Sequence, residues 1–254
     1  MGFVPYKQSE IESEIQTALD IRFNTPNQTQ SDQIITLNNE SKKTFNLTGH
    51  GVSKFQNITD LDSRNIPWES RERLKLIKFN NKILLIGGDA NPIIFDDVLE
   101  SDDFRFWTTK TNSIGWSSRW GFSVVVFKNK IFAMGGTPFG SNNNLNDIWS
   151  SSDGETWIQE KDAEWSSRHG MEVVIFNDQL WLFCGKSDSD SLTDIWSSSD
   201  GINWIQRTNP AWLKRDSHRV VVFNNKIFVM GGVGTTFYND VWSSSDGINW
   251  TQQS

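Results

Sequence analysis

One stretch of this chain occurs three times, and it leaves few folds open. Asp147-Ile148-Trp149-Ser150-Ser151-Ser152-Asp153-Gly154-Glu155-Thr156-Trp157 returns as Asp194 to Trp204 and as Asp240 to Trp250, the last two copies differing only at Ile195 against Val241. Each copy reads as strand, turn, strand. Gly tolerates the positive φ of a tight hairpin, and Asp hydrogen-bonds nearby backbone. A hairpin repeated with this fidelity implies a repeated fold, so the repeat is the frame for everything else.

Working outward from the hairpins, Trp68, Trp116, Trp165 and Trp212 are each followed three residues later by Arg71, Arg119, Arg168 and Arg215, with steps of 48, 49 and 47 residues between the tryptophans. Eight residues after each Arg stands Phe79, Phe127, Phe176 or Phe223, then a polar pair that reads as a tight turn into a second strand. That strand ends in Gly87-Gly88, Gly135-Gly136, Cys184-Gly185 or Gly231-Gly232, and a variable loop leads to the hairpin, of which Asp97 to Trp107 is a worn first copy. Each unit therefore carries four strands. The first, as in Val124-Val125-Val126-Phe127, is nearly all apolar, which suits an inner strand buried on both faces. Of the 13 Trp, 11 fall in three repeat columns, so their work is mainly structural.

Composition agrees with a β fold and removes several partners. Hydrophobic residues make up only 36% of 254, but 13 Trp and 17 Phe concentrate burial in few side chains. A net charge of -7 with no basic patch excludes a nucleic-acid backbone or an anionic membrane as the main partner. Cys184 is the single cysteine, so neither an intrachain disulfide nor a multi-cysteine zinc site is expected. The N-terminus lacks a basic segment followed by an apolar run, and nothing approaches the roughly 18 apolar residues of a membrane span. A virion-associated or cytoplasmic location is expected.

The N-terminal quarter differs in character. Ser9 and Glu12 form a capping box, and Ile11, Ile15, Ala18 and Leu19 recur at helical spacing, which predicts a short helix over 9–23 ended by Asn24 and Pro26. Residues 33–37, 43–47 and 52–58 then read as three short strands.

Strand, turn, strand to Gly-Gly, variable loop, Asn-Asp-Val-Trp and a closing Trp together resemble the kelch repeat over residues 68–253. The resemblance implies an all-β fold, a kelch-type β-propeller of four-stranded blades. We expect an N-terminal attachment segment at 1–31 and a propeller at 32–254, with blades at about 32–60, 68–110, 116–160, 165–207 and 212–254, five in all with the first degenerate. The Ser-Ser-Asp-Gly-x-x-Trp hairpin also resembles the Asp box of sialidase-like propellers, but its Asp directly precedes the Gly, and neither form argues for catalysis.

No catalytic set emerges. Arg71, Arg119, Arg168 and Arg215 recur in every unit, which favours a structural task, binding carbonyls or Asp side chains between blades, over convergence on an anion. His50, His169 and His218 are too few and too irregular for a metal site, and no metal or cofactor is expected. A galactose-oxidase-like copper site would need a Cys-Tyr crosslink, a second Tyr and two His, yet the chain has only Tyr6 and Tyr238. A small residue filling a strand end is the better account of Cys184. The sialidase pattern of an Arg triad with a Tyr and an acid is equally poorly met.

What varies between units is more informative. The residue after each Arg is Glu72, Trp120, His169 or Asp216, and the loops after the second strand share little. Constant framework with variable loops is how a rigid scaffold hosts recognition. The candidate ligand-binding residues are Trp120, Phe139, His169, Asp216, Phe237 and Tyr238. The expected function is non-enzymatic: a propeller that binds protein or glycan at its blade loops and joins a larger, oligomeric assembly through its N-terminal helix, by analogy a phage virion tail or baseplate. The competing expectation is a glycan-active propeller enzyme of sialidase or oxidase type.

Overall fold

The computed structural model describes residues 33–37, 41–47, 52–57, 68–90 and 92–253, the first three stretches as backbone. The helix expected at 9–23 lies outside the described residues. The chain divides into two compact units, Met1–Asn65 and Ile66–Ser254. In the first, β1 (Gln33–Leu37), β2 (Ser41–Leu47) and β3 (Val52–Asn57) form an antiparallel sheet in chain order, so the three expected strands are present and pair as a meander.

The second unit is four sheets of one design. The first sheet is β4 (Lys75–Phe79), β5 (Lys82–Ile86), β8 (Val98–Ser101) and β9 (Thr108–Thr111), with a small ribbon, β6 (Asp89–Ala90) and β7 (Ile93–Ile94), in its loop. The second is β11 (Ser123–Phe127), β12 (Lys130–Pro138), β13 (Leu145–Ser151) and β14 (Ile158–Gln159), with β10 (Arg119–Trp120) added to the end of β12. The third is β15 (Glu172–Phe176), β16 (Gln179–Phe183), β17 (Ile195–Ser198) and β18 (Ile205–Gln206), and the fourth is β19 (Arg219–Phe223), β20 (Lys226–Met230), β21 (Val241–Ser244) and β22 (Thr251–Gln253). Every ladder is antiparallel, and no helix occurs among the described residues. None of the described elements is a helix long and apolar enough to cross a membrane.

Local chemistry fixes each sheet. The pairs Asn80-Asn81, Lys128-Asn129, Asn177-Asp178 and Asn224-Asn225 all have φ between 47° and 62°. Two successive positive φ values define the type I′ turn whose twist matches a hairpin, and Asn tolerates them best among residues with a side chain. The Gly-Gly signature has a separate cause at its second residue. A Cβ on Gly88, Gly136, Gly185 or Gly232 would lie 2.7–2.9 Å from the carbonyl oxygen of Glu72, Trp120, His169 or Asp216, so the strand end can approach only a bare backbone.

The first strands β4, β11, β15 and β19 lie side by side in chain order, each sheet packing on the next. Between the first and second sheets sit Phe79, Leu84, Ile86, Trp116, Phe122 and Trp157; the next two interfaces repeat the scheme around Phe127, Phe132, Trp165 and Trp204, and around Phe176, Trp181, Phe183 and Trp212. A bulky side chain in the middle of the second strand of the first, second and third sheets meets the Asp-Gly turn of the following sheet. A Cβ on Gly154 would stand 2.8 Å from Leu84, and one on Gly201 would stand 2.7 Å from the Phe132 ring. In the worn first hairpin the equivalent residue is Phe104, with φ 64° and 60% exposed.

The expectation that first strands are buried on both faces is met only in part, since Leu76 of β4 is 51% and Ile175 of β15 41% exposed, and it fails most widely in β19. Phe79, Phe127 and Phe176 are 3–5% exposed, whereas Phe223 at the same position is 62% exposed and Val221 46%. The reason is packing: among the described residues a sheet covers this face of the first, second and third sheets, and none covers it in the fourth.

Candidate functional site

Four arginine staples hold the site. Arg119 donates through Nη1 and Nη2 to Asp147 at 2.5 and 2.9 Å and through Nη1 to the Gly135 carbonyl at 3.0 Å. Arg168 does the same to Asp194 and the Cys184 carbonyl, Arg215 to Asp240 and the Gly231 carbonyl, and Arg71 to Asp97 and the Gly87 carbonyl. The Nε1–H of Trp149, Trp196 or Trp242 donates to the same carboxylate, except in the first sheet, where Leu99 stands at that position. Planar, bidentate and buried, these pairs have the geometry in which an Arg and a carboxylate bind most strongly. The expectation of a structural role is met with one correction: each Arg side chain binds carbonyl and Asp groups of its own sheet, while the bonds to the neighbouring sheet come from the backbone, Arg168 N–H donating to the Leu145 carbonyl at 3.0 Å and Arg215 N–H to the Leu192 carbonyl at 2.9 Å.

The residue after each staple is therefore presented by a rigid anchor. Glu72, Trp120, His169 and Asp216 each pair with the residue after the Gly-Gly position, Asp89, Thr137, Lys186 and Val233 respectively. One step further, Arg73, Gly121, Gly170 and Ser217 all adopt positive φ, and they link sheet to sheet: Gly170 N–H donates to the Gly121 carbonyl and Ser217 N–H to the Gly170 carbonyl, both at 2.9 Å. This ladder draws the variable residues of successive sheets together.

Trp120 and His169 meet across it, with ring centroids 4.5 Å apart, and the Arg73 guanidinium lies 5.3 Å from the Trp120 ring. A Cβ on Gly121 would come within 3.0 Å of the His169 Cβ, so glycine there allows the approach. His169 Nδ1 lies 2.8 Å from Asn144 Oδ1. Because Asn144 donates through Nδ2 to the Lys186 carbonyl and accepts from Thr137 Oγ1, its Oδ1 is an acceptor; His169 carries its proton on Nδ1 and leaves Nε2 as an acceptor. Burial lowers the His169 pKa, with Asp216 opposing, so the imidazole is neutral at pH 7. Asp216 accepts from the hydroxyls of Ser191 and Ser217 at 2.8 and 3.0 Å, and Asp188 accepts from the Asn144 N–H at 2.7 Å.

Of the six residues read from the sequence, Trp120, His169 and Asp216 thus share one end of the sheet array. Phe139 and Phe237 stand on the loops, 58% and 85% exposed. Tyr238 is half-buried, its ring 5.0 Å from the Arg215 guanidinium and its N–H bonded to the Gly232 carbonyl, so it braces a staple. Arg73, Asn144 and Asp188 were not singled out from the sequence. Nothing in their local sequence marks them, since each acts through a partner in another unit or another loop. No cluster of three or more His, Cys, Asp or Glu able to hold a metal occurs among the described residues.

Residues 153–254 match a family model described as the DUF6242 beta propeller domain. The chain carries a β-propeller. The match spans the third and fourth sheets together with the Asp-Gly turn and last strand of the second. No curated protein matches the chain.

Proposed function

We propose that the chain is a non-enzymatic propeller of kelch type that recognises protein or glycan at the end of the array where Trp120, His169 and Asp216 gather. The observation that carries this reading is the contrast at that end: the staple is invariant in all four sheets, while the residue it presents changes from Glu72 to Trp120, His169 and Asp216. A rigid frame that varies only at its presented residues is built for recognition. The groups are also held in ways that suit binding better than turnover. His169 is fixed by Asn144 and tilted against Trp120, which leaves its Nε2 to accept a hydrogen bond from a ligand, and Asp216 is capped by two hydroxyls and so is not poised as a free base.

The same reading makes the propeller five-bladed, with the N-terminal meander as a degenerate first blade and residues 1–31 attaching the domain to a larger assembly, for which a virion tail or baseplate is the model. Open apolar positions at Val221 and Phe223 in the fourth sheet support a ring of more than four blades.

The test is a glycan array and a protein pull-down with the full chain, repeated with Trp120→Ala and His169→Ala. Binding that disappears in both variants while the thermal melt is kept supports the proposal. Turnover of chromogenic glycosides that is lost in His169→Ala or Asp216→Asn overturns it in favour of an enzyme.

A further inference from the structure

The Trp120 and His169 rings meet with centroids 4.5 Å apart and planes tilted by 57°, and each keeps one polar atom unused. The Trp120 Nε1–H has no acceptor and the His169 Nε2 no donor among the described residues. Elsewhere such atoms are sealed in: the partnerless nitrogens of Trp157, Trp165, Trp204, Trp212 and His218 are fully buried. Trp120 and His169 are only half-buried, and neither nitrogen is among the sealed ones, so both face solvent. The roles of the two atoms are fixed and opposite. An indole nitrogen only donates. Asn144 holds the His169 proton on Nδ1 at 2.8 Å, so Nε2 only accepts, and Asn144 cannot turn over to release it without breaking its bonds to Thr137 and the Lys186 carbonyl.

A neutral donor beside a neutral acceptor selects its ligand by chemistry. A carboxylate would satisfy Trp120 but set a lone pair against Nε2, and an ammonium would satisfy His169 but face the indole N–H with another donor; either way a polar atom is left unpaired. An amide satisfies both, its carbonyl oxygen accepting from Trp120 and its N–H donating to His169. We propose that Trp120 and His169 form a binding site for a neutral amide group of the ligand. The Arg73 guanidinium of the first sheet lies over the indole at 5.3 Å, and His169 of the third sheet packs against the same ring, so Trp120 has its N–H left to offer rather than a free face for stacking. The amide can come from an N-acetylated sugar or from a peptide. This inference rests on the proposed binding role of the same end and names the group it selects.

Titration of the isotope-labelled full chain at neutral pH with N-acetylglucosamine, glucose and N-acetylglycine amide, followed by the imidazole nitrogen NMR signals, tests it. The chain has three histidines, and His169→Gln assigns the signals of interest. Before any addition they should show the proton on Nδ1; a proton on Nε2 overturns the proposal. One or both amides should shift the Nε2 signal at millimolar concentration and glucose should not, and whichever amide binds tighter identifies a glycan or a peptide source. Trp120→Phe keeps a ring against His169 and removes the N–H, so it should weaken amide binding by about three- to tenfold with the thermal melt kept. Equal binding by wild type and Trp120→Phe, glucose binding as tightly as N-acetylglucosamine, or silence from both amides overturns the amide site. Array or pull-down binding that still depends on Trp120 and His169 would then leave this end as a binding face, whereas a blank array and pull-down would remove the binding reading separately.

Discussion

His218 should make the propeller acid-sensitive. It is 0% exposed, and neither ring nitrogen has a hydrogen-bond partner among the described residues. Its place explains this: Leu74, Phe122, Met171 and His218 all stand three residues after a staple arginine and pack over the second glycine of the Gly-Gly position, so an imidazole occupies an apolar slot. Burial, with Arg215 and Arg219 adding to it, lowers the pKa to about 3 from the ordinary 6.5. The unfolded chain takes up the proton first as pH falls below 6.5, so stability is complete above that value, falls steadily towards pH 3 and levels off below. At about 1.4 kcal/mol per pH unit, the loss is about 3 kcal/mol at about pH 4.5 and about 5 kcal/mol at about pH 3. Against a typical total of about 5–15 kcal/mol, that is enough to unfold a marginal domain.

His218→Leu installs the residue that the first sheet uses in this slot. Urea melts at neutral pH and at about pH 4.5 should show the variant as stable as wild type or more so at neutral pH, since two unpaired buried nitrogens are removed. At about pH 4.5 it should be ahead by about 3 kcal/mol more. Carboxylates such as Asp200 and Asp246, held below their usual range chiefly by backbone and Asn203 or Asn249 hydrogen bonds acting against burial, also lose stability in acid, but equally in both proteins. A wild-type minus variant difference that does not change with pH would refute the reasoning.

Removing one partner of a staple leaves a buried charge alone, so Arg168→Ala and Asp194→Ala should each cost about 3–5 kcal/mol in urea melts, and the double variant less than their sum. Gly201→Ala should cost about 2–4 kcal/mol by thermal denaturation, since φ is 83° and the new Cβ would meet the Phe132 ring. Cys184 is fully buried and its thiol is pushed up to about 12, chiefly by burial. It should resist a thiol reagent at mildly alkaline pH until urea unfolds the chain, and fast reaction of the folded protein would contradict the burial.

The sequence made the backbone legible and the partners less so. Asn-Asn turns, Gly-Gly ends and Asp-Gly hairpins each encode a dihedral angle or a close approach, and such demands recur wherever the repeat does. What an arginine binds is a different kind of fact. The column of Arg71, Arg119, Arg168 and Arg215 showed a structural task, but the Asp that answers each lies 25 to 28 residues later in the same sheet, and only folding shows that the contact stays within it. Val220-Val221-Val222-Phe223 reads like Val124-Val125-Val126-Phe127, yet its exposure depends on what stands beside it. His218 illustrates a missed signal. Read as a histidine it was a weak metal candidate, whereas read down its column, beside Leu74, Phe122 and Met171, it is a core residue of the wrong polarity.

Phe104 sets a direction on the array. Each later sheet offers its predecessor a bare turn at Gly154, Gly201 or Gly247, and each earlier sheet supplies a knob to fill it, so these units can be duplicated or exchanged along the chain without redesign. The first sheet breaks the rule by growing a phenyl ring at the socket. A unit of the same design copied in front of it would set a knob against Phe104, so the repeat scheme extends without redesign only behind the fourth sheet.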